Sequence, residues 1–175
     1  LKILQVNTQR AAELVNSFKQ VSVDQSSDSY RDFDLFQYLH DVILSLSARL
    51  KKQHCQLQLE CPQGLSMFSD PGAIAQIITN LVINALLHGL ENQPDPQIRI
   101  EVIPEESHVV IRFADNGCGM SEEHLHHLFE PFFTTKRNQG GSGLGAHIIF
   151  NLVTVRLQGD IKVTSELGHG LHYVI

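Results

Sequence analysis

The chain has 175 residues, with 13 Lys+Arg against 19 Asp+Glu and a formal charge of −6. That length suits one domain of roughly 150 residues with a short appendage. The 42% of apolar residues excludes a disordered chain, and the acidic balance without a basic patch sets nucleic-acid binding aside.

No run approaches the roughly 18 uninterrupted apolar residues of a membrane span. The chain starts at Leu1 without a signal-peptide pattern and reads as a piece of a larger protein. Cys55, Cys61 and Cys118 form no CxxC pair, which argues against a disulfide framework or zinc site and for a reducing compartment. The histidine cluster His124, His126 and His127 lacks ligand-spaced partners and reads as the polar face of a short helix.

In chain order, Leu4, Ala11 and Phe18 repeat at heptad spacing, with Leu14 and Val21 at the offset position. This predicts a helix over residues 1–23 whose narrow apolar seam needs a partner helix. A polar, turn-rich linker follows, residues 24–31. Residues 32–175 read as one alternating α/β unit. Arg31 to Phe33 suggests a short strand. Asp34, with Gln37 three residues on, has the form of an N-cap with its capping-box partner. The helix after it carries Leu35, Leu39, Val42, Leu46 and Leu50 on one face. Cys55, Leu57 and Leu59 alternate at strand period, Pro62-Gln63-Gly64 turns, and Leu65 to Phe68 is a second strand. Asp70-Pro71 opens a helix through Ile74, Ile77, Ile78, Leu81 and Ala85 to about His88. Ile98, Ile100 and Val102 pair through a hairpin with Val109 to Ala114. Gly145 to Gln158 is helical, and two last strands meet around a turn at Gly168.

Three stretches carry chemistry. Gln76, Asn80 and Asn84 stand four residues apart on one helix face, where amides are costly unless paired, and amide oxygens also suit Mg²⁺. Asp115-Asn116-Gly117-Cys118-Gly119 follows a strand directly. It sets one carboxylate beside backbone that a flat ligand can approach, able to accept from an exocyclic amine. Gly140-Gly141-Ser142-Gly143-Leu144-Gly145 opens onto a helix N-terminus, which favours an anion, but lacks the Lys-Ser/Thr ending of a P-loop. Thr134-Thr135-Lys136-Arg137 upstream suits a lid over phosphates.

Together, in this order, these stretches resemble the ATP-binding catalytic domain of sensor histidine kinases, within the superfamily of gyrase, Hsp90 and MutL. Asn80 to Ala85 resembles the family's asparagine box, and Asp115 to Gly119 its first glycine box. Phe129-Glu130-Pro131-Phe132-Phe133-Thr134-Thr135-Lys136 resembles its phenylalanine motif, Gly141 to Gly145 its second glycine box, and Gly168-His169-Gly170 sits at the third. Residues 1–23 look like the second helix of the family's dimerisation and histidine-phosphotransfer hairpin.

The resemblance implies a two-layer α/β sandwich of a mixed β-sheet and α-helices (the Bergerat-type ATP-binding fold), preceded by one long α-helix. It implies a protein-histidine kinase that moves the γ-phosphoryl of ATP to a histidine, for relay to an aspartate on a response-regulator receiver domain. Its cofactors would be ATP and Mg²⁺. The intact protein would be a homodimer through the hairpin, and this chain a cytoplasmic region of an inner-membrane protein. Gln76 and Asn80 become the catalytic candidates. Asn84, with Asn80 assisting, would hold Mg²⁺. ATP would meet Asn80, Asn84, His88, Asp115, Gly117, Gly119, Met120, Phe129, Thr134, Thr135, Lys136, Gly141, Ser142, Gly143, Leu144 and Gly145, while Leu128, Phe129 and Phe133 would help fold the lid.

Leu87 and Leu171 depart from the family pattern, which has a Lys and a Thr or Ser there. His40-Asp41-Val42-Ile43-Leu44-Ser45 only begins like a phosphoacceptor motif, so the chain is expected to bind ATP without labelling itself. The rivals are a nucleotide-gated ATPase or chaperone module, an anti-sigma-type serine kinase, and a degenerate kinase that only binds partners. The first uses a Glu as base near the first Asn, and Gln76 cannot act as one.

Overall fold

The computed structural model describes residues 30–135 and 142–175. The helix expected over residues 1–23 lies outside them, as do residues 136–141 with Lys136 and Gly141. Strand β1 (Arg31–Asp34) begins within the stretch expected as linker and pairs antiparallel with β3 (Ser66–Ser69). Between them come α1 (Leu35–Lys52) and β2 (Gln56–Glu60). Asp34 caps α1, its Oδ1 accepting from the Gln37 N–H at 2.8 Å. The reciprocal half of the capping box does not form. Gln37 donates its side-chain amide to Asp41 instead, at 3.1 Å. The expected apolar face of α1 is the buried one: Leu35, Leu39, Val42, Leu46 and Leu50.

Helix α2 (Pro71–Asn84) is capped by Asp70, which accepts from the Ala73 N–H, and Pro71 sits at its first position. One turn of wider π geometry, Ala85–Gly89, continues it, closed by the Leu90 N–H on the Ala85 carbonyl at 2.9 Å. By length and composition this helix could cross a membrane, yet it packs here between α1 and the later α4.

The main sheet adds β4 (Gln97–Pro104), β5 (Val109–Asp115), β6 (Lys162–Ser165) and β7 (Leu171–Val174) to β2. Its order is β2-β4-β5-β7-β6. Only β2 and β4 run parallel. Alternation along β4 explains the layering. Ile98, Ile100 and Val102 are buried under the helices. Arg99 bonds Glu60, and Glu101 meets Arg112, on the opposite face. Burying one face of a mixed sheet under helices while solvating the other gives the two-layer sandwich.

A short helix α3 (Glu122–His126) and helix α4 (Gly145–Asn151) complete the fold. A second π turn, Leu152–Arg156, extends α4. The helix stops before the expected Gln158, which takes a left-handed φ of 55° while the Gly159 N–H returns to Val153.

At this end Arg156 reaches back to the cap of α2, its Nε donating to Asp70 Oδ2 at 2.7 Å. Asp70 is nearly closed off from solvent, and Arg156 stays 26% exposed beneath the Tyr30 ring. Removing the cation takes the guanidinium away from a buried carboxylate that also caps α2. Arg156→Met should therefore destabilise the chain by about 1–2 kcal/mol, below the full value for a closed pair because one partner is wet. Urea unfolding checks this, and an unchanged midpoint would remove the pair from the account.

Candidate functional site

A cavity of about 600 Å³ opens between α2, the C-terminal end of β5, α3 and the start of α4. Asp115 is at one end. It is the last residue of β5 and only 6% exposed. Its Oδ1 accepts from the Gly117 N–H at 2.9 Å and, at 3.4 Å, from that of Leu171. No hydrogen bond among the described residues engages Oδ2. Burial pushes the carboxyl pKa up, and the two backbone N–H groups pull partly against that. The result is a desolvated acceptor on a cavity wall, the arrangement that rewards an incoming N–H donor.

The wall around it is apolar. Phe113 and Tyr173, paired across β5 and β7 with ring centroids 6.1 Å apart, line the cavity with Met120, Leu128 and Leu171. Burial and the Asp115 charge raise the Tyr173 phenol well above its ordinary range. Gly119 also lines this wall. It has φ +67°, and a Cβ there would lie 2.0 Å from the Glu166 carbonyl.

At the other end stand the amides of α2 and the start of α4. Asn80, Asn84 and His88 line the cavity with Thr134, Thr135, Ser142, Gly143 and Gly145. The Asn84 side chain lies against Gly145, where a Cβ would fall 2.9 Å from its Oδ1. His88 Nδ1 is 3.4 Å from Thr135 Oγ1. Helices α1, α2 and α3 each have a side-chain cap, whereas α4 has none at Leu144. Ser142 Oγ takes the Leu144 N–H at 3.3 Å, and the first-turn N–H groups beyond it have no partner within the helix. Such an end attracts an anion.

Four expected residues do not line the cavity. Gly117 is buried behind Asp115 and acts through its N–H; a Cβ there would strike Gly89 and Asp115. Phe129 packs its ring tilted against Phe150, with centroids 5.2 Å apart, and accepts at its carbonyl from the His147 ring. Leu144 packs into the core. Gln76 lies one turn below Asn80, off the cavity wall. Its Oε1 is buried without a partner among the described residues, as is Nδ2 of Asn80. Lys136 and Gly141 lie outside the described residues. Asn116 serves the scaffold, bonding Gln97 N and the Asp95 carbonyl.

Several lining residues carried no sequence signal. Leu167 and Tyr173 reach the cavity only through tertiary packing, and His124, from the histidine cluster, joins them there. His124, His126 and His127 are exposed at the short helix α3, as expected, and the His124 and His127 rings also lie 5.7 and 5.9 Å from Phe133.

The amides suit a hard cation at their end of the cavity, since Asn80 and Asn84 both line it and both carry an amide oxygen. Among the described residues no three His, Cys, Asp or Glu side chains gather to hold a metal.

Residues 69–175 match the model of the histidine kinase-, DNA gyrase B- and HSP90-like ATPases. The chain is 30% identical over 95% of its length to a putative sensor protein of Shewanella frigidimarina, covering 25% of that protein. It is 32% identical over 81% of its length to sporulation kinase E of Bacillus subtilis, covering 19% of it. The chain thus spans a quarter or less of these relatives. The solved catalytic domain of histidine kinase ThkA superposes with a TM-score of 0.72 at 26% identity, over 83% of this chain and 92% of that one. By sequence and by fold, the chain belongs to the histidine kinase-, DNA gyrase B- and HSP90-like ATPase family.

Proposed function

We propose that this chain is the ATP-binding catalytic region of a sensor histidine kinase. The observation that carries the reading is the polarity of one cavity. A desolvated carboxylate, Asp115, faces it at one end, and the uncapped α4 with Asn80 and Asn84 faces it at the other. Adenine fits the first end, by donating its exocyclic amine to Asp115 between apolar walls. Phosphates fit the second.

The protein's own work is positioning and charge neutralisation, as in phosphoryl transfer generally. Asp115 fixes the base, the first turn of α4 receives phosphate oxygens, and Thr134, Thr135 and Ser142 offer hydroxyls beside them. Asn84 and Asn80 would hold Mg²⁺, which would neutralise phosphate charge and orient the terminal phosphoryl. Gln76 carries no carboxylate to act as a base towards water, which favours transfer to a protein acceptor over hydrolysis. That acceptor is a histidine on a helical hairpin, and the phosphoryl passes on to a response-regulator receiver domain. The intact protein is a dimer through that hairpin, with this region on the cytoplasmic side of a membrane.

The test is incubation of the chain with γ-labelled ATP, Mg²⁺ and a separate hairpin fragment bearing the acceptor histidine. Acid-labile label on the fragment and none on this chain is expected. Label on neither, with steady phosphate release, would overturn the reading in favour of an ATPase.

Asn84→Ala should remove most of the Mg²⁺-dependent part of ATP affinity, roughly tenfold for a ligand to a charged group, and leave adenosine affinity intact. Titrations with and without Mg²⁺ check it, and an equal loss for adenosine would place Asn84 away from the phosphates.

A further inference from the structure

Ser165 ends β6 and stands outside every motif. Its Oγ accepts from the Met120 N–H at 2.9 Å and donates to the Gly170 carbonyl at 2.7 Å. One hydroxyl thus ties the loop after Asp115 to the turn between β6 and β7. We propose that Ser165 is the positioning residue for the base end of the cavity, fixing Asp115 for adenine from across the sheet. This rests on the reading that the cavity takes an adenine nucleotide.

One peptide plane links Ser165 to Asp115. The Gly170 carbonyl and the Leu171 N–H belong to the same peptide group, and in a trans peptide they point in opposite directions. Ser165 holds the oxygen, so the N–H is turned towards Asp115 Oδ1. That contact, at 3.4 Å, is at the long limit of a hydrogen bond, so it depends on the plane's orientation being held. The second bond of Ser165 fixes the Met120 N–H, and Met120 and Leu171 both line the base end. Two neighbouring bonds also hold the loop after Asp115: Gly168 N–H to the Cys118 carbonyl at 2.8 Å ties it to the β6–β7 turn, and Cys118 N–H to the Gly89 carbonyl at 3.0 Å ties it to the end of α2. Those are backbone bonds that any sequence can make. Unlike them, the Ser165 bridge needs a side chain, and it needs one that donates and accepts at once, which a hydroxyl does.

If Ser165 positions Asp115, the loss on removing it appears at the base and not at the phosphates. Ser165→Ala should weaken adenosine and ADP by the same factor, roughly three- to tenfold. It should also narrow the preference for ADP over GDP, because discrimination depends on where the carboxylate sits. Ser165→Thr keeps the hydroxyl and should restore both. The measurements are titrations of the three chains with adenosine, ADP and GDP, with urea unfolding of each and hydrogen exchange at the Met120 and Leu171 amides.

Wild-type chain that binds neither adenosine nor ADP would sink the underlying nucleotide reading. Wild-type binding with Ser165→Ala equal to it in affinity and in ADP-over-GDP preference would sink this proposal alone. A loss confined to ADP and absent for adenosine would also overturn it, by moving the effect to the phosphate end. Should Ser165→Ala prove unstable, Ser165→Cys keeps the volume with a poor donor, and an unaltered base preference in that variant would count equally against the proposal.

Discussion

Asp115→Asn should cost adenine nucleotides about tenfold to a hundredfold in affinity and at the same time make the nucleotide-free chain more stable. The first half follows from what Oδ2 offers. A carboxylate is an acceptor only, and a charge-assisted hydrogen bond to it is worth about 1.5–3 kcal/mol. The amide can keep the Gly117 bond through its oxygen, but it then turns an N–H₂ towards the donor it should receive. The second half follows from burial. The folded chain raises the Asp115 pKa above its ordinary value, so between those two values it binds the proton more firmly than the unfolded chain does. Stability is then greatest below the ordinary carboxylate range near about 4, falls as pH rises through the raised value, and stays lower at neutral pH. Asparagine has no such slope. Calorimetric titration with ADP, and unfolding between about pH 4 and pH 8, test both halves. Unchanged affinity would put adenine elsewhere, and a variant less stable than wild type at pH 7 would show the carboxylate to be stabilising. Wild-type affinity should also fall on acidification through the raised pKa, as the acceptor is protonated.

That trade-off was legible only in part before the fold was known. The sequence places Asp115 at a strand end beside two glycines, which is enough to single it out. It says nothing of the Leu171 N–H that arrives from a strand 56 residues further on. The same division runs through the fold. The buried faces of α1 and β4 follow from apolar spacing alone, because a period of 3.6 or 2 leaves no other face for Leu39 or Ile100 to bury. Caps at Asp34 and Asp70 follow from local chemistry. The π turns at Ala85–Gly89 and Leu152–Arg156 do not, since one extra residue per turn is lost within the tolerance of any apolar pattern. The first of them matters to the site. It brings the Gly89 backbone against Gly117 and sets Gly89 close enough to Asp115 that a Cβ would lie 3.2 Å from Oδ1. Gly117 was expected at the ligand and lies behind the carboxylate for the same reason: only a residue without a side chain fits between Gly89 and Asp115. The bond from Arg156 to Asp70 and the bridge at Ser165 join distant segments, and no local pattern announces such pairs.

Gly170→Ala should be among the most damaging single substitutions in the chain, at about 2–4 kcal/mol, and should abolish nucleotide binding with it. Gly170 has φ +75°, and a Cβ there would fall 1.9 Å from the Asp115 carbonyl oxygen and 2.9 Å from its Oδ1. The left-handed conformation alone costs an alanine about 1 kcal/mol. The clash adds about 1–3 kcal/mol, because the atom in the way is backbone and cannot rotate aside. Nor can it move as a body: β5 is held by β4 on one side and β7 on the other. Relief would have to pull the end of β7 away from Asp115, which breaks the Leu171 contact and tilts the Gly170 carbonyl off Ser165. Gly168 supplies the control within the same turn. It too has a left-handed φ, +85°, but a Cβ there meets nothing within 4 Å. Gly168→Ala should therefore cost only the conformational term, about 1 kcal/mol, and leave ADP affinity within about twofold. Unfolding in urea separates the two variants. If Gly170→Ala proves no less stable than Gly168→Ala, the close approach of the β6–β7 turn to Asp115 is not what builds this end of the cavity.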